Sequence, residues 1–140
     1  MVTPNYSMPW QMNKEERSTS TGFVISGKRI LTNAHCVAYQ TSVKIRKQGS
    51  ARKVVARVVA VGHDCDLALL TVDDPEFWQG DFARSYLTLD TNLPPLQSSV
   101  TVIGYPTGGD NISCTAGVIS RVDVQQYSHS DNSLLTIQID

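Results

Sequence analysis

The sequence predicts a mostly β domain, a barrel or sandwich of short strands, on three observations. Its apolar runs are short and rich in Val and Ile; Gly, Pro, Ser, Thr, Asn and Asp recur between them; and the spacing gives five strands, a connector and three more strands. Sustained helical periodicity is scarce.

The elements follow in chain order. Strands at 22–26 and 29–33 flank Ser26-Gly27-Lys28, a break just long enough for a hairpin turn. In 42–47, Val43 and Ile45 alternate with Lys44 and Arg46, giving one apolar and one charged face, as a half-buried strand requires. Residues 53–61 and 67–72 complete the first group. The stretch 73–99 differs in kind: it holds Pro75, the pair Phe77-Trp78, Gly80 and Pro94-Pro95 with little periodicity, and reads as a crossover. One helical turn is expected around 75–78, capped by Asp73 or Asp74. Strands at 100–104, 117–124 and 134–139 close the chain.

Composition narrows the class. At 140 residues there is room for one domain, and 41% hydrophobic with 18% charged residues suffices for a core. No apolar run approaches the roughly 18 residues of a membrane helix, so a membrane span and a disordered chain are both disfavoured. The 12 Lys and Arg nearly balance the 13 Asp and Glu, yet residues 18–63 carry 8 of the bases and none of the acids. The basic stretch Lys44, Arg46, Lys47, Arg52, Lys53 and Arg57 is almost free of aromatics and alternates with Val and Ile. It reads as the solvated face of a hairpin rather than a nucleic-acid surface. The cysteines at 36, 65 and 114 form no C-x-x-C pair and cannot all be bridged, which argues for a reducing, intracellular compartment. The first residues lack the charged and apolar regions of a signal peptide and the Arg/Ser-rich look of a transit peptide, so the protein is expected in the cytosol unless a leader is missing from this sequence.

Two residues stand out as chemistry. His35 directly follows a strand in Leu-Thr-Asn-Ala-His-Cys, where small Ala34 lets the backbone turn and project an imidazole. Asp66 opens the otherwise apolar run Leu-Ala-Leu-Leu, and a carboxylate shielded from water needs a partner. A buried Asp accepting from an imidazole Nδ1–H fixes the ring's tautomer and frees Nε2 to act as a base.

Four blocks then carry a resemblance: Thr32-Asn33-Ala34-His35-Cys36-Val37, Asp66-Leu67-Ala68-Leu69-Leu70, Gly104-Tyr105-Pro106 and Gly117-Val118-Ile119-Ser120-Arg121. In order and in spacing they resemble the HtrA/Deg serine proteases. The plant-type Deg branch is nearest, through Pro4-Asn5-Tyr6, Pro9-Trp10-Gln11, Glu76-Phe77-Trp78, and the run 104–109 followed by Asp110-Asn111-Ile112-Ser113. The resemblance implies an all-β, chymotrypsin-like double β-barrel: an N-terminal segment at 1–17, a complete first barrel at 18–72, a connector at 73–99 and the start of a second barrel, truncated, at 100–140. It also implies His35 as general base and Asp66 as its orienting carboxylate, with Asp64 as a rival for the second role. No metal or organic cofactor is expected.

The substrates implied are unfolded or damaged proteins, the assembly a homotrimer or a multiple of one, and the location a chloroplast or mitochondrion. Tyr6 and Trp10 are expected either at subunit contacts or as a staple of the N-terminus onto the barrel. The family's nucleophile lies in a Gly-Asn-Ser-Gly-Gly-Pro loop. Here Ser26, Ser113, Ser120, Ser128, Ser130 and Ser133 all lack the paired glycines of such a loop. The 140 residues alone are therefore expected to be catalytically inactive, with a poorly packed C-terminal half. Secreted chymotrypsin-like enzymes pair the cysteine after this histidine with one a hairpin upstream; residues 18–22 hold none, so Cys36 is expected to be a small buried apolar residue.

Three other readings are weaker. A zinc site from His35, Cys36, His63 and Cys65 would need adjacent side chains that diverge on a tight turn, and His63-x-Cys65 lacks the usual knuckle spacing. Cys36 as a nucleophile would need activating geometry that sequence neighbours rarely share. A non-catalytic protease-like domain that binds partners or regulates is the alternative of a different class, and the joint presence of His35 and Asp66 in their pattern speaks against it.

Overall fold

The computed structural model describes residues 18–38, 40–106 and 110–140, with the backbone of two short strands, β1 (Val2–Pro4) and β2 (Met12–Lys14), which pair antiparallel. Tyr6 and Trp10 lie outside the described residues.

Strands β3 (Phe23–Ile25), β4 (Arg29–Thr32), β5 (Val43–Arg46), β6 (Lys53–Gly62) and β7 (Leu67–Thr71) form one antiparallel sheet in the order β3-β4-β7-β6-β5. The β3–β4 turn places Gly27 (φ 80°) and Lys28 (φ 55°) in the left-handed region, whose backbone twist suits a hairpin. In β5, Val43 and Ile45 turn toward the core while Lys44 and Arg46 face solvent, the alternation visible in the sequence. The long strand β6 serves two partners, pairing with β5 at its start and with β7 after Ala56, and its register with β7 shifts between Val58 and Ala60. Such a bulge bends a strand and lets one sheet curl.

The core sits on one face of this sheet. Ile30, Val37, Ala68, Leu70 and Val72 are buried together with Phe77 and Trp78. The last two arrive on a 3-10 turn, Pro75–Trp78, where the Asp74 side chain accepts from the Glu76 amide and Pro75 occupies the first turn. Trp78 donates its Nε1–H to the Val72 carbonyl at 2.7 Å, so its polar end is satisfied where it is buried. Phe82, from a second 3-10 turn (Gly80–Ala83), meets Phe77 edge-on at 5.2 Å, and Lys47 lies over both rings.

Strands β8 (Ser99–Gly104), β9 (Ser113–Gln126) and β10 (Ser133–Ile139) form a second sheet in the order β10-β9-β8. The structure extends β9 well beyond the expected 117–124, because its first residues pair along all of β8, from Gly104 opposite Ser113 to Ser99 opposite Val118. At Gly117 a Cβ would lie 2.6 Å from the Asp140 carbonyl oxygen, so glycine is what lets β9 approach the end of the chain. This sheet contributes one buried hydrophobic residue, Ile119, and leaves Val102, Ile103, Val124, Leu135, Ile137 and Ile139 exposed. The loose packing expected of the C-terminal half is thus present.

Hydrogen bonds tie the two sheets at their ends. Thr21 Oγ1 accepts from the Tyr105 amide at 2.7 Å and donates to the Tyr105 carbonyl, while Thr32 Oγ1 donates to the Thr21 carbonyl. Among the described residues, no helix is long and apolar enough to cross a membrane.

Candidate active site

Strand register brings His35 to Asp66. In the β4–β7 ladder Ile30 faces Leu70, Leu31 faces Leu69 and Thr32 faces Ala68. Two steps further along one strand and two back along the other, Ala34 faces Asp66, and the Ala34 amide donates to the Asp66 carbonyl at 3.0 Å. There the chain leaves β4 and turns through a single helical turn, α1 (Ala34–Val37), with Ala34 and Val37 buried beneath it. The sharp turn expected at Ala34 is this one, and it presents His35 on the outer side.

His35 Nδ1 lies 2.6 Å from Asp66 Oδ2. Since an ionised carboxylate only accepts, Nδ1 carries a proton, and in the neutral ring the lone pair is then on Nε2. The His35 amide donates to the other oxygen, Oδ1, at 2.8 Å, and the Tyr127 hydroxyl donates to Oδ2 at 2.5 Å. Asn33 Nδ2 donates to the Asp66 carbonyl at 3.2 Å. Asp66 itself has φ 54°, in the left-handed region, as the last residue of the β6–β7 turn.

Asp66 is only 3% exposed and the only buried charged residue among those described. Burial alone would push its carboxyl up, but the Tyr127 hydroxyl, the His35 amide and the His35 imidazole hold it down at about 2. The same bond, together with burial, raises the Tyr127 phenol above its ordinary value. The His35 side chain is 39% exposed and lines a cleft of about 440 Å³ with Asn33, Cys36, Tyr105 and residues 18–21. The arrangement holds a charged carboxylate dry behind an imidazole that opens on a cleft.

The other singled-out residues fall elsewhere. Asp64 is exposed and makes no contact with His35 among the described bonds, while Cys65 Sγ turns back to the Gly62 carbonyl. Among the described residues no group of three His, Cys, Asp or Glu side chains converges as a metal site. Cys36 is half-buried rather than fully buried: α1 is one turn long, so its Sγ reaches the cleft wall and contacts Ser20 Oγ at 2.9 Å. Arg52 pairs with Asp74 and Glu76, Arg57 with Asp73, and Arg46 with Asp110, so acids from later in the chain offset much of the basic stretch.

Sequence reasoning missed two residues of the site. Tyr127 and His129 stand on the turn between β9 and β10, and the His129 ring stacks on His35 with centroids 4.1 Å apart and planes 8° from parallel. A Tyr-x-His pair where a turn asks only for small residues is the one signal that could have found them.

Comparison with known proteins gives the family. The trypsin-like peptidase domain matches residues 20–140. The chain belongs to this family. Within it the relatives are HtrA/Deg proteases, those of plants foremost. Protease Do-like 2, chloroplastic, of Arabidopsis thaliana is 50% identical over 139 residues, which is 99% of this chain and 22% of that protein. Protease Do-like 4, mitochondrial, of the same plant is 46% identical over 98% of this chain and 26% of its own length. The chain thus spans about a quarter of the length of these relatives. Among solved structures, the HtrA-type protease AlgW with decapeptide superposes with a TM-score of 0.69 over 92% of this chain and 38% of AlgW, at 21% identity, a likeness of fold. Like the family, the chain is mostly β, with a half-barrel sheet and part of a second.

Proposed function

We propose that His35 and Asp66 are the general base and the orienting carboxylate of an HtrA/Deg-type serine endopeptidase. The observation that carries this reading is the 2.6 Å bond from His35 Nδ1 to a carboxylate that is buried and charged. Asp66 fixes the tautomer with its proton on Nδ1 and stabilises the imidazolium that forms when Nε2 takes a proton. A serine hydroxyl presented to Nε2 would lose that proton as it attacked a peptide carbonyl, and the imidazolium would return it to the leaving amine. The proposed substrates are unfolded or damaged proteins, the proposed assembly a trimer or a multiple of one, and the proposed location a chloroplast or mitochondrion, in keeping with the organelle names of the relatives.

The 140-residue sequence holds no serine in a Gly-x-Ser-Gly setting, so in this reading these residues supply the base half of the machinery and not the nucleophile. The test uses two chains: these 140 residues, and a chain continued through a Gly-Asn-Ser-Gly-Gly-Pro segment taken from a Deg relative. A serine-directed fluorophosphonate is expected to leave the first unlabelled and to label the second, and His35→Ala in the second should slow labelling and casein cleavage by at least about 100-fold. Labelling of the continued chain that ignores His35→Ala would sink the assignment. Absence of any labelling in a folded, continued chain would favour the reading as a protease-like binding or regulatory domain.

A further inference from the structure

We propose that the β9–β10 turn positions the His35–Asp66 pair, Tyr127 by fixing the Asp66 carboxylate and His129 by holding the plane of the imidazole. The proposal rests on the reading of His35 as a base and names the residues that keep that base aimed.

Asp66 receives its donors from two parts of the chain. The His35 amide and ring come from α1, which the β4–β7 register places beside it; Tyr127 comes from the β9–β10 turn, 61 residues later. Without Tyr127, Oδ2 would keep the imidazole at 2.6 Å and the Asn33 amide at a long 3.5 Å, and a buried carboxylate short of a strong donor tends to rotate, admit water or take up a proton. With it, Oδ1 is fixed by a backbone amide and Oδ2 by two short bonds.

Tyr127 is well placed to act as a fixed point, because its own backbone is held. Its amide donates to the Asn132 carbonyl at 2.8 Å, its carbonyl accepts from Ser130 and Asp131, and Asp131 closes the turn at φ 55°. His129, two residues on, stacks flat on His35 and also touches the Tyr127 ring, at 5.4 Å between centroids. The terminal torsion of a histidine is broad and its ring swings easily; a parallel ring at 4.1 Å removes much of that freedom. The titratable groups around Asp66 and Tyr127 are His35 and Cys36 from α1 and His129 from the turn, with the Asn33 amide as a further polar neighbour.

The test is NMR on the 15N- and 13C-labelled 140-residue chain. The unaltered chain is expected to show a far-downfield Nδ1–H resonance from His35 that disappears in Asp66→Asn. Its absence from the unaltered chain would defeat the base assignment itself, whatever Tyr127 does. Given that resonance, Tyr127→Phe, which removes one hydroxyl and keeps the ring, should raise the pH at which the Asp66 carboxyl takes its proton by about one unit or more and speed exchange of the Nδ1 proton. A folded Tyr127→Phe chain with both readouts unchanged overturns the proposal. His129→Ala should broaden the His35 ring signals and His129→Phe, which can still stack, should restore them; an unaltered spectrum in His129→Ala overturns the His129 half. Should Tyr127→Phe fail to fold, the Tyr127 Cζ signal of the unaltered chain decides: ionisation above the ordinary tyrosine range supports the contact, and ordinary ionisation rejects it.

Discussion

The two sheets bury their apolar residues very unequally. The first packs against a core of seven buried hydrophobic residues, two of them aromatic and supplied by the connector that follows it. The second buries Ile119 and leaves most of its Val, Leu and Ile in water, although its strands are as long and as regularly paired. Regular pairing therefore does not make a core. A sheet face becomes a core only when another element covers it, and Pro75–Trp78 covers the first sheet.

That contrast can be broken or sharpened by measurement. The largest effect is expected at Trp78: Trp78→Ala opens a cavity among Leu70, Val72 and Phe77 and should lower unfolding stability by about 3–5 kcal/mol in a urea titration. A loss below about 1 kcal/mol would show that the first sheet is not the stability centre.

Next comes the tie between the sheets at Asp66. Its folded value of about 2 lies below the ordinary 3.8, so the stability it contributes is fully present above pH 4 and is lost as pH falls toward 2. Linkage sets the loss at about 2 kcal/mol. The stability difference between the unaltered chain and Asp66→Asn should therefore shrink over that window, and a difference constant from pH 5 to pH 2 would contradict the depressed value.

The smallest effect is expected in the second sheet. Ile137 is 42% exposed, and Ile137→Ala should change stability by no more than about 0.5 kcal/mol. A loss like that of Trp78→Ala would mean that something covers this face in solution, and the comparison would fail there.

The eight strands from Phe23 to Ile139 were legible because their cues are local: alternation in β5, an apolar run in β7, turn residues between them. The capped turn at Pro75 was legible for the same reason, with Asp74 rather than Asp73 as the cap. The start of β9 was not, since Ser113, Cys114, Thr115 and Ala116 are small residues with no Val, Ile or aromatic side chain among them and are strand because β8 lies beside them. His35 and Asp66 were found through their immediate settings, a turn after one strand and a carboxylate opening another. Tyr127 escaped because its hydrogen bond goes to a partner 61 residues away, and nothing in its own neighbourhood encodes that distance.

The left-handed backbone at Asp66 acts as a second filter on what can be inherited at this position. Asparagine and glycine accept a φ of 54° but bring no negative charge; glutamate brings the charge, but its longer side chain does not favour that conformation or reach the same three donors. Of the twenty amino acids the genetic code offers, aspartate alone satisfies both. A replacement there fails at least one of two requirements, the chain's geometry or its electrostatics, so the position is held by both at once.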